Sequence, residues 1–376
     1  MNYIFLLSGD YIDLGAEEIL SLLYIKNYKL KNRLLILELN DKKSIDKISK
    51  RLALTKNIYE FLFKCKIDDL VNNMKNFDWN SVYNDNFCLR KYNLDNDGIS
   101  VKNPINKKNN KKNNKKLINK IIGYNNKKLS EKNLAGYLWR SIKNPKVNLV
   151  NPKTEINLFF FNGRVYCGLL IKKIGYDFDS RKSHMRPFPH PSSLHPKVAR
   201  ALVNLSEIEE NEILLDPFCG TGGFLIEAGM MNIKSIGYDI NKIMIKGCTQ
   251  NLEYYKIKNY KIKTKNALNI DEKFDSLVTD LPYGLNSTAM TDFDEENWKK
   301  YRLNLKIQKK DFYENLEKFY LSFLKNLRKK LKKKAVIVFP SYVDYRKLLK
   351  LSKFEIEKEF SDYVHRSLTR KIVKIK

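Results

Sequence analysis

Apolar positions along the chain fall into two patterns. Through residue 172 they come as short runs of changing period, and from His195 onward as a regular alternation of strand-like and helix-like runs. Tyr3 to Leu7 predicts a strand. Asp13 is placed to cap a helix that buries Ile19, Leu20, Leu22 and Leu23, and Leu34 to Leu39 and Ile58 to Phe63 predict strands around a second helix. The first 65 residues therefore read as a small α/β unit with helices packed on a sheet. A helix over Ile67 to Met74, a strand over Phe87 to Tyr92 and a helix over Leu134 to Ile142 follow. Ile156 to Phe161 and Arg164 to Ile171 flank Asn162-Gly163, a dipeptide that tolerates positive φ, and predict a hairpin. Residues 173 to 193 are polar and carry Pro187, Pro189 and Pro191, as an interdomain linker would.

Beyond the linker, helices are predicted over Pro196 to Asn204, Gly223 to Gly229, Lys242 to Tyr255 and Phe312 to Lys330. Strands over Glu212 to Leu215, Ser235 to Tyr238, Leu277 to Thr279 and Ala335 to Phe339 alternate with them. Such alternation implies a doubly wound parallel sheet. The chain thus divides into units at 1–65 and 66–172, a linker at 173–193, and a domain at 194–376, which suits 376 residues with 43% hydrophobic content.

One segment breaks the first pattern. Residues 102 to 132 hold eleven Lys and one Glu among many Asn, a net +10 within a half (residues 1 to 172) whose net is +16. This insert reads as a low-complexity loop, either inert or a loose polycation that touches phosphates without reading sequence. The whole chain sets 71 Lys and Arg against 42 Asp and Glu, a formal +29. A polyanionic partner is one physical reason to tolerate that self-repulsion, and a bias toward Lys, Asn and Ile is another source of it. Cys65, Cys88, Cys167, Cys219 and Cys248 are odd in number and form no C-x-x-C pair, which argues against a disulfide framework and a zinc site. No stretch approaches the roughly 18 apolar residues of a spanning helix, so the expectation is a soluble protein of a reducing cytoplasm, without metal or membrane.

The sharpest chemistry begins at Ile213, in I-L-L-D-P-F-C-G-T-G-G-F. An apolar strand runs into Asp216, then Gly220, Gly222 and Gly223, then a helix. Ligands of open parallel sheets bind at the carboxyl ends of the strands, where glycines let the backbone approach them. Asp239 ends the next strand, 23 residues on, where a carboxylate can accept from ribose hydroxyls. The glycines lack the G-x-G-x-x-G spacing of a nicotinamide site. The extra carboxylate, Asp216, suits a ligand with an ammonium or sulfonium charge better than a pyrophosphate.

The following strand ends in S-L-V-T-D-L-P-Y-G. Asp280 to Gly284 resembles the D/N-P-P-Y/F motif of methyltransferases that alkylate exocyclic amines, with Leu281 at the first proline. An aromatic amine is a poor nucleophile because its lone pair is delocalised into the ring. Two acceptors can hold its N–H groups and turn the lone pair toward a sulfonium methyl. Asp280 would supply one, the carbonyl of the next residue or of Pro282 the other, and Tyr283 could stack on the base. Catalysis is then positioning and electrostatics without a covalent enzyme intermediate.

Three segments sharpen the reading: R-P-F-P-H-P-S-S-L-H-P-K-V-A-R-A-L-V-N-L (Arg186 to Leu205), the glycine loop with D-L-P-Y-G, and H-R-S-L-T-R (His365 to Arg370). Together they resemble the archaeal tRNA guanosine-10 N2-methyltransferase family over residues 173 to 376, and more weakly over 1 to 172. The resemblance implies an N-terminal ferredoxin-like unit and THUMP domain joined to a Rossmann-like class I methyltransferase domain. It implies S-adenosylmethionine as cofactor and tRNA as partner, the product being N2-methylguanosine or its dimethyl form. By that resemblance Asp280, Pro282 and Tyr283 hold the guanine. Asp216, Phe218, Gly220, Gly222, Asp239, Ile240, Asn266 and Ala267 bind the cofactor, although Asn266 stands where Asp is usual. Arg366 and Arg370 read as phosphate contacts or as a sheet-edge ion pair, and Lys111 and Lys112 as RNA contacts of the insert. His184, His190, His195 and His365 read as structural or RNA-facing. The chain is expected to be monomeric or weakly self-associating. Alternatives are a guanosine at another tRNA position or in ribosomal RNA, an adenine amine in DNA, and a non-catalytic RNA-binding protein.

Overall fold

The computed structural model describes residues 1–95, 127–191, 193–283, 309–365 and 368–376. The chain forms two compact units, one of Met1–Ala16, Ile25–Ser49 and Leu54–Gly175, the other of Glu17–Tyr24, Lys50–Ala53 and Tyr176–Lys376.

In the first unit, strands β1 (Asn2–Leu7), β2 (Lys29–Lys31), β3 (Leu34–Glu38), β4 (Thr55–Lys66), β5 (Phe87–Asn93), β6 (Thr154–Phe161) and β7 (Arg164–Lys173) build one sheet in the order β2-β3-β1-β4-β7-β6-β5. All neighbours are antiparallel except β5 and β6. Segments 1–65 and 66–172 thus contribute to a single sheet, joined where β4 pairs with β7. The β6–β7 turn has φ of 47° at Asn162 and 68° at Gly163, as its dipeptide requires. Helices α1 (Ile12–Leu23), α2 (Lys43–Ser49), α3 (Leu70–Asn76) and α4 (Glu131–Ser141) complete the elements of this part of the chain. Asp13 does not cap α1. It lies inside the first turn, where its charge favours the positive helix end. The basic insert is shorter than its composition suggests. Leu129 is buried and the Ser130 side chain accepts from the Asn133 amide to cap α4, so the last residues of the insert fold.

The second unit carries β8 (Ile213–Asp216), β9 (Lys234–Asp239), β10 (Tyr260–Thr264), β11 (Ser276–Asp280), β12 (Ala335–Pro340), β13 (Ile356–His365) and β14 (Leu368–Ile375), in the order β10-β9-β8-β11-β12-β14-β13. The first five in that order are parallel, and β14 is antiparallel to both β12 and β13. Helices α5 (Pro196–Leu205), α6 (Gly223–Met230), α7 (Lys242–Tyr254), α8 (Lys309–Arg328) and α9 (Tyr345–Leu351) accompany them. Burial on both faces makes β12 a continuous apolar run, Ala-Val-Ile-Val-Phe-Pro. This is a doubly wound, Rossmann-like α/β sheet. Chain order reverses between β8 and β11, so the crevice above their carboxyl ends is its topological switch point.

The stretch read as a linker is packed. Arg181 and Arg186 are buried, and the Asn251 side chain of α7 brackets Phe188, accepting from its amide at 2.9 Å and donating to its carbonyl at 3.0 Å. Gly247 makes room for it: a Cβ there would stand 2.3 Å from the Phe188 ring. His195 caps α5, its Nδ1 accepting from the Lys197 amide at 3.2 Å.

Candidate active site

Asp216 ends β8 and is 1% exposed. Its Oδ1 accepts from Thr279 Oγ1 at 2.8 Å and from the Phe218 amide at 3.3 Å. Burial pushes its carboxyl up to about 7, against those two hydrogen bonds, and the charges of Asp280 and Asp239 push the same way. Because Thr279 precedes Asp280 on β11, this bond ties the two strand ends at the switch point together.

The chain then turns through Gly220 at φ 49° and Gly222 at φ 88°. The Gly220 amide donates to Asp239 Oδ2 at 3.0 Å and the Asn241 amide to Asp239 Oδ1 at 2.8 Å, so the end of β9 braces the loop. A Cβ on Gly222 would stand 2.8 Å from Cys248 Sγ, whereas one on Gly220 would meet nothing within 4 Å. The loop is therefore packed against α7 on one side and open on the other. Phe218 is held edge-on to Phe319 and Phe323 of α8. Ile240 is partly exposed beside Asp239. Asn266 is exposed, its Oδ1 accepts from the Leu268 amide at 2.9 Å, and Ala267 is buried.

Asp280 closes β11. Tyr283 Oη donates to Asp280 Oδ1 at 2.5 Å, and Arg370 Nε donates to Tyr283 Oη at 3.0 Å. Tyr320 Oη donates to the Pro282 carbonyl at 2.5 Å, and Tyr342 Oη donates to the Tyr283 carbonyl. Burial pushes the Asp280 carboxyl up to about 6, against the pull of the Arg370 charge and the Tyr283 hydroxyl. Leu281 has a structural reason. Its amide donates to the Val338 carbonyl at 3.1 Å, a bond proline cannot make, and its side chain is fully buried among core residues such as Leu277, Tyr320 and Phe339.

Sequence reasoning missed Arg186, which is 4% exposed. Its Nε donates to the Arg181 carbonyl at 2.9 Å, while Nη1 and Nη2 have no partner among the described residues. Nη1 lies 3.8 Å from where a Cβ on Gly223, the first residue of α6, would stand. Neighbouring Arg181 and Arg200 both engage buried Glu227, at 2.7 and 2.8 Å. Two guanidiniums thus share one carboxylate, and Arg186 sits beside them at a helix N-terminus, where an anionic group is favoured. The Arg-Pro-Phe-Pro segment was visible in the sequence, but only packing shows which of its atoms lack partners.

Arg366, Lys111 and Lys112 lie outside the described residues. Among the described residues no cluster of three or more His, Cys, Asp or Glu could hold a metal, and no helix is long and apolar enough to cross a membrane.

A doubly wound sheet with carboxylates ending β8, β9 and β11 around an open glycine turn suits a nucleoside-type cofactor, and the relatives make the protein a methyltransferase. A family model described as RMKL-like, methyltransferase domain, matches residues 183–314. The tRNA (guanine(10)-N2)-dimethyltransferase of Methanothermobacter thermautotrophicus is 30% identical over 86% of this chain and 83% of its own length. That of Pyrococcus abyssi is 30% identical over 95% of this chain and 94% of its own. The solved structure of TrmN from Thermus thermophilus aligns with 100% of this chain and 99% of its own at a TM-score of 0.49 and 13% identity. The chain belongs to the tRNA (guanine(10)-N2)-dimethyltransferase family.

Proposed function

We propose that this protein methylates the exocyclic N2 amine of guanosine 10 in tRNA, using S-adenosylmethionine, and carries the base through N2-methylguanosine to N2,N2-dimethylguanosine. The carrying observation is Asp280, aimed by Tyr283 and Arg370 at the switch point and tied through Thr279 to Asp216.

The residues present fit the cofactor. Unpartnered Arg186 at the start of α6 suits its carboxylate, the open side of Gly220 leaves room for it, and Asp239 suits its ribose hydroxyls. Asp216 would face its positive charge, and Phe218, Ile240, Asn266 and Ala267 would line the adenine. Bound there, it supplies an electrophilic methyl group. Asp280 accepts one N–H of the guanine amine and takes up the proton released as nitrogen forms its new bond. Pro282's carbonyl already accepts from Tyr320, which favours the Leu281 carbonyl as second acceptor. Tyr283 keeps its bond to Asp280 Oδ1, so Oδ2 takes the amine N–H, and the Tyr283 ring stands beside the base. Guanosine 10 is paired in the D-arm, so it has to leave the stack before its amine can be reached.

The first unit is read as a THUMP-type grip on tRNA, assisted by Lys111 and Lys112 of the insert. The protein is read as a cytoplasmic monomer or weak self-associator. The test is to incubate it with labelled S-adenosylmethionine and unmodified tRNA transcript, then identify the modified nucleoside and its position. N2-methylated guanosine at position 10, lost in Asp280→Ala, is expected. A methylated guanosine elsewhere would discard the target, and no product would discard the reading.

A further inference from the structure

Arg370 lies in a motif whose basic residues invite a phosphate-contact reading. Its position in the fold says otherwise. On β14 it stands opposite Pro340 of β12 and Asp362 of β13. Its side chain is 9% exposed, with Nη1 3.5 Å from Asp362 Oδ2 and Nε 3.9 Å from Asp280 Oδ2. Nε donates to Tyr283 Oη, and that hydroxyl donates onward to Asp280 Oδ1. A guanidinium so enclosed and so engaged is not presented to a polyanion. Its five donors and fixed plane do suit the holding of two neighbours in one orientation.

We infer that Arg370 is a positioning residue of the methyl-transfer site. Through Tyr283 it fixes the direction of the Asp280 carboxylate, and it supplies the positive charge opposite that carboxylate while Asp362 anchors it from behind. This rests on the function proposed above. The antiparallel pairing of β14 with β12 and β13 is what brings this cation to the end of β11.

The relay has a signature in pH. Among the described residues, the groups facing Asp280 are Tyr283 on its own turn, Arg370 on β14, Asp362 on β13, Asp216 at the end of β8 and Tyr320 on α8. Of these Arg370 is the cation, and its charge lowers the pH at which Asp280 protonates. Without it the carboxylate protonates at higher pH, and the acid limb of the rate profile moves up.

The experiment compares the full-length chain with Arg370→Gln, Arg370→Lys and Tyr283→Phe. Turnover and KM for tRNA transcript are followed from acid to neutral pH, with S-adenosylmethionine binding by calorimetry as the check on folding. Arg370→Gln should lower kcat on the order of 100-fold, leave KM for tRNA within about 2-fold, and shift the acid limb upward. Arg370→Lys should keep the limb near its wild-type place and recover part of kcat. Combined with Tyr283→Phe, Arg370→Gln should cost less than the product of the two single losses, because both act on one carboxylate. A raised KM with a weakened salt dependence and an unmoved limb would return Arg370 to phosphate and overturn the inference, as would wild-type kinetics. Should Arg370→Gln not fold, the Lys variant and Tyr283→Phe decide: an acid limb and kcat unchanged in both overturns it. A wild-type protein that leaves guanosine 10 unmethylated overturns the functional reading itself, and this one with it.

Discussion

Asp216 pits stability against use. Its carboxyl is pushed up to about 7, mainly by burial, while in an unfolded chain it would titrate near the ordinary carboxylate value of 3.8. A folded pKa above the unfolded one means that the neutral form is the one the fold prefers. Between those values ionisation costs the native state increasingly as pH rises, and above about 7 the cost is constant. Asp216→Asn keeps an oxygen acceptor for Thr279 and Phe218. It should therefore be more stable than wild type above pH 7, on the order of 2 kcal/mol, and no more stable at acid pH. Urea unfolding at two pH values measures this, and equal stability at both would mean that the carboxylate is better solvated than its burial implies. The same variant should lose cofactor affinity. At this scale the sequence was readable where a residue ends a strand. Asp216, Asp239 and Asp280 each close an apolar run, so their convergence follows from the pattern. Thr279, Tyr320, Asp362 and Arg186 enter through packing between distant segments, which no local pattern encodes. Leu281 was opaque for the same reason, since its explanation is a carbonyl on β12.

Among the elements of the second unit, the buried strands were legible and the edges were not. The sequence predicts β8, β9, β11 and β12, short and largely buried strands that alternate with helices. Tyr260–Thr264 alternates with lysine at the sheet edge, and β13 reads Ile-Glu-Lys-Glu-Phe-Ser-Asp-Tyr-Val-His, mostly facing solvent. Charged, half-exposed edge strands hide the signal that marks a strand. The 186–191 segment was misjudged as connection because its prolines speak of a turn, while its seat on α7 depends on the missing side chain of Gly247. Gly247→Ala tests that seat. The added carbon would collide with the Phe188 ring, costing about 1–3 kcal/mol and lifting the segment that carries Arg186. Thermal melting should show the first and calorimetry with S-adenosylmethionine the second. A variant that melts lower yet binds normally would separate Arg186 from the cofactor.

Over the whole molecule, charge is the readable property. The sum of +29 includes a Lys-rich insert largely outside the described residues. On the proposed function it acts through counterion release. The logarithm of kcat/KM for tRNA should then fall with the logarithm of salt at a slope of magnitude about 3 or more, while cofactor affinity changes little. Deleting residues 102–126 should flatten that slope without moving S-adenosylmethionine binding. A slope unchanged by the deletion would make the insert inert and leave the folded units to carry the RNA. The doubly wound sheet was legible at this scale because strand and helix alternate so evenly after His195. The antiparallel turn-back of β13 and β14 was not.

The unpaired guanidinium of Arg186 and the carboxylate of Asp239 share a property that reaches beyond the fold. On the assignment above, each grips a part of the cofactor that methyl transfer leaves unaltered, one the carboxylate and the other the sugar. The spent molecule keeps both handles and should compete with the fresh one for the same site. Such an enzyme would be throttled by its own waste. On that assignment its pace would follow the balance between charged and discharged cofactor, and tRNA modification would register the state of one-carbon supply.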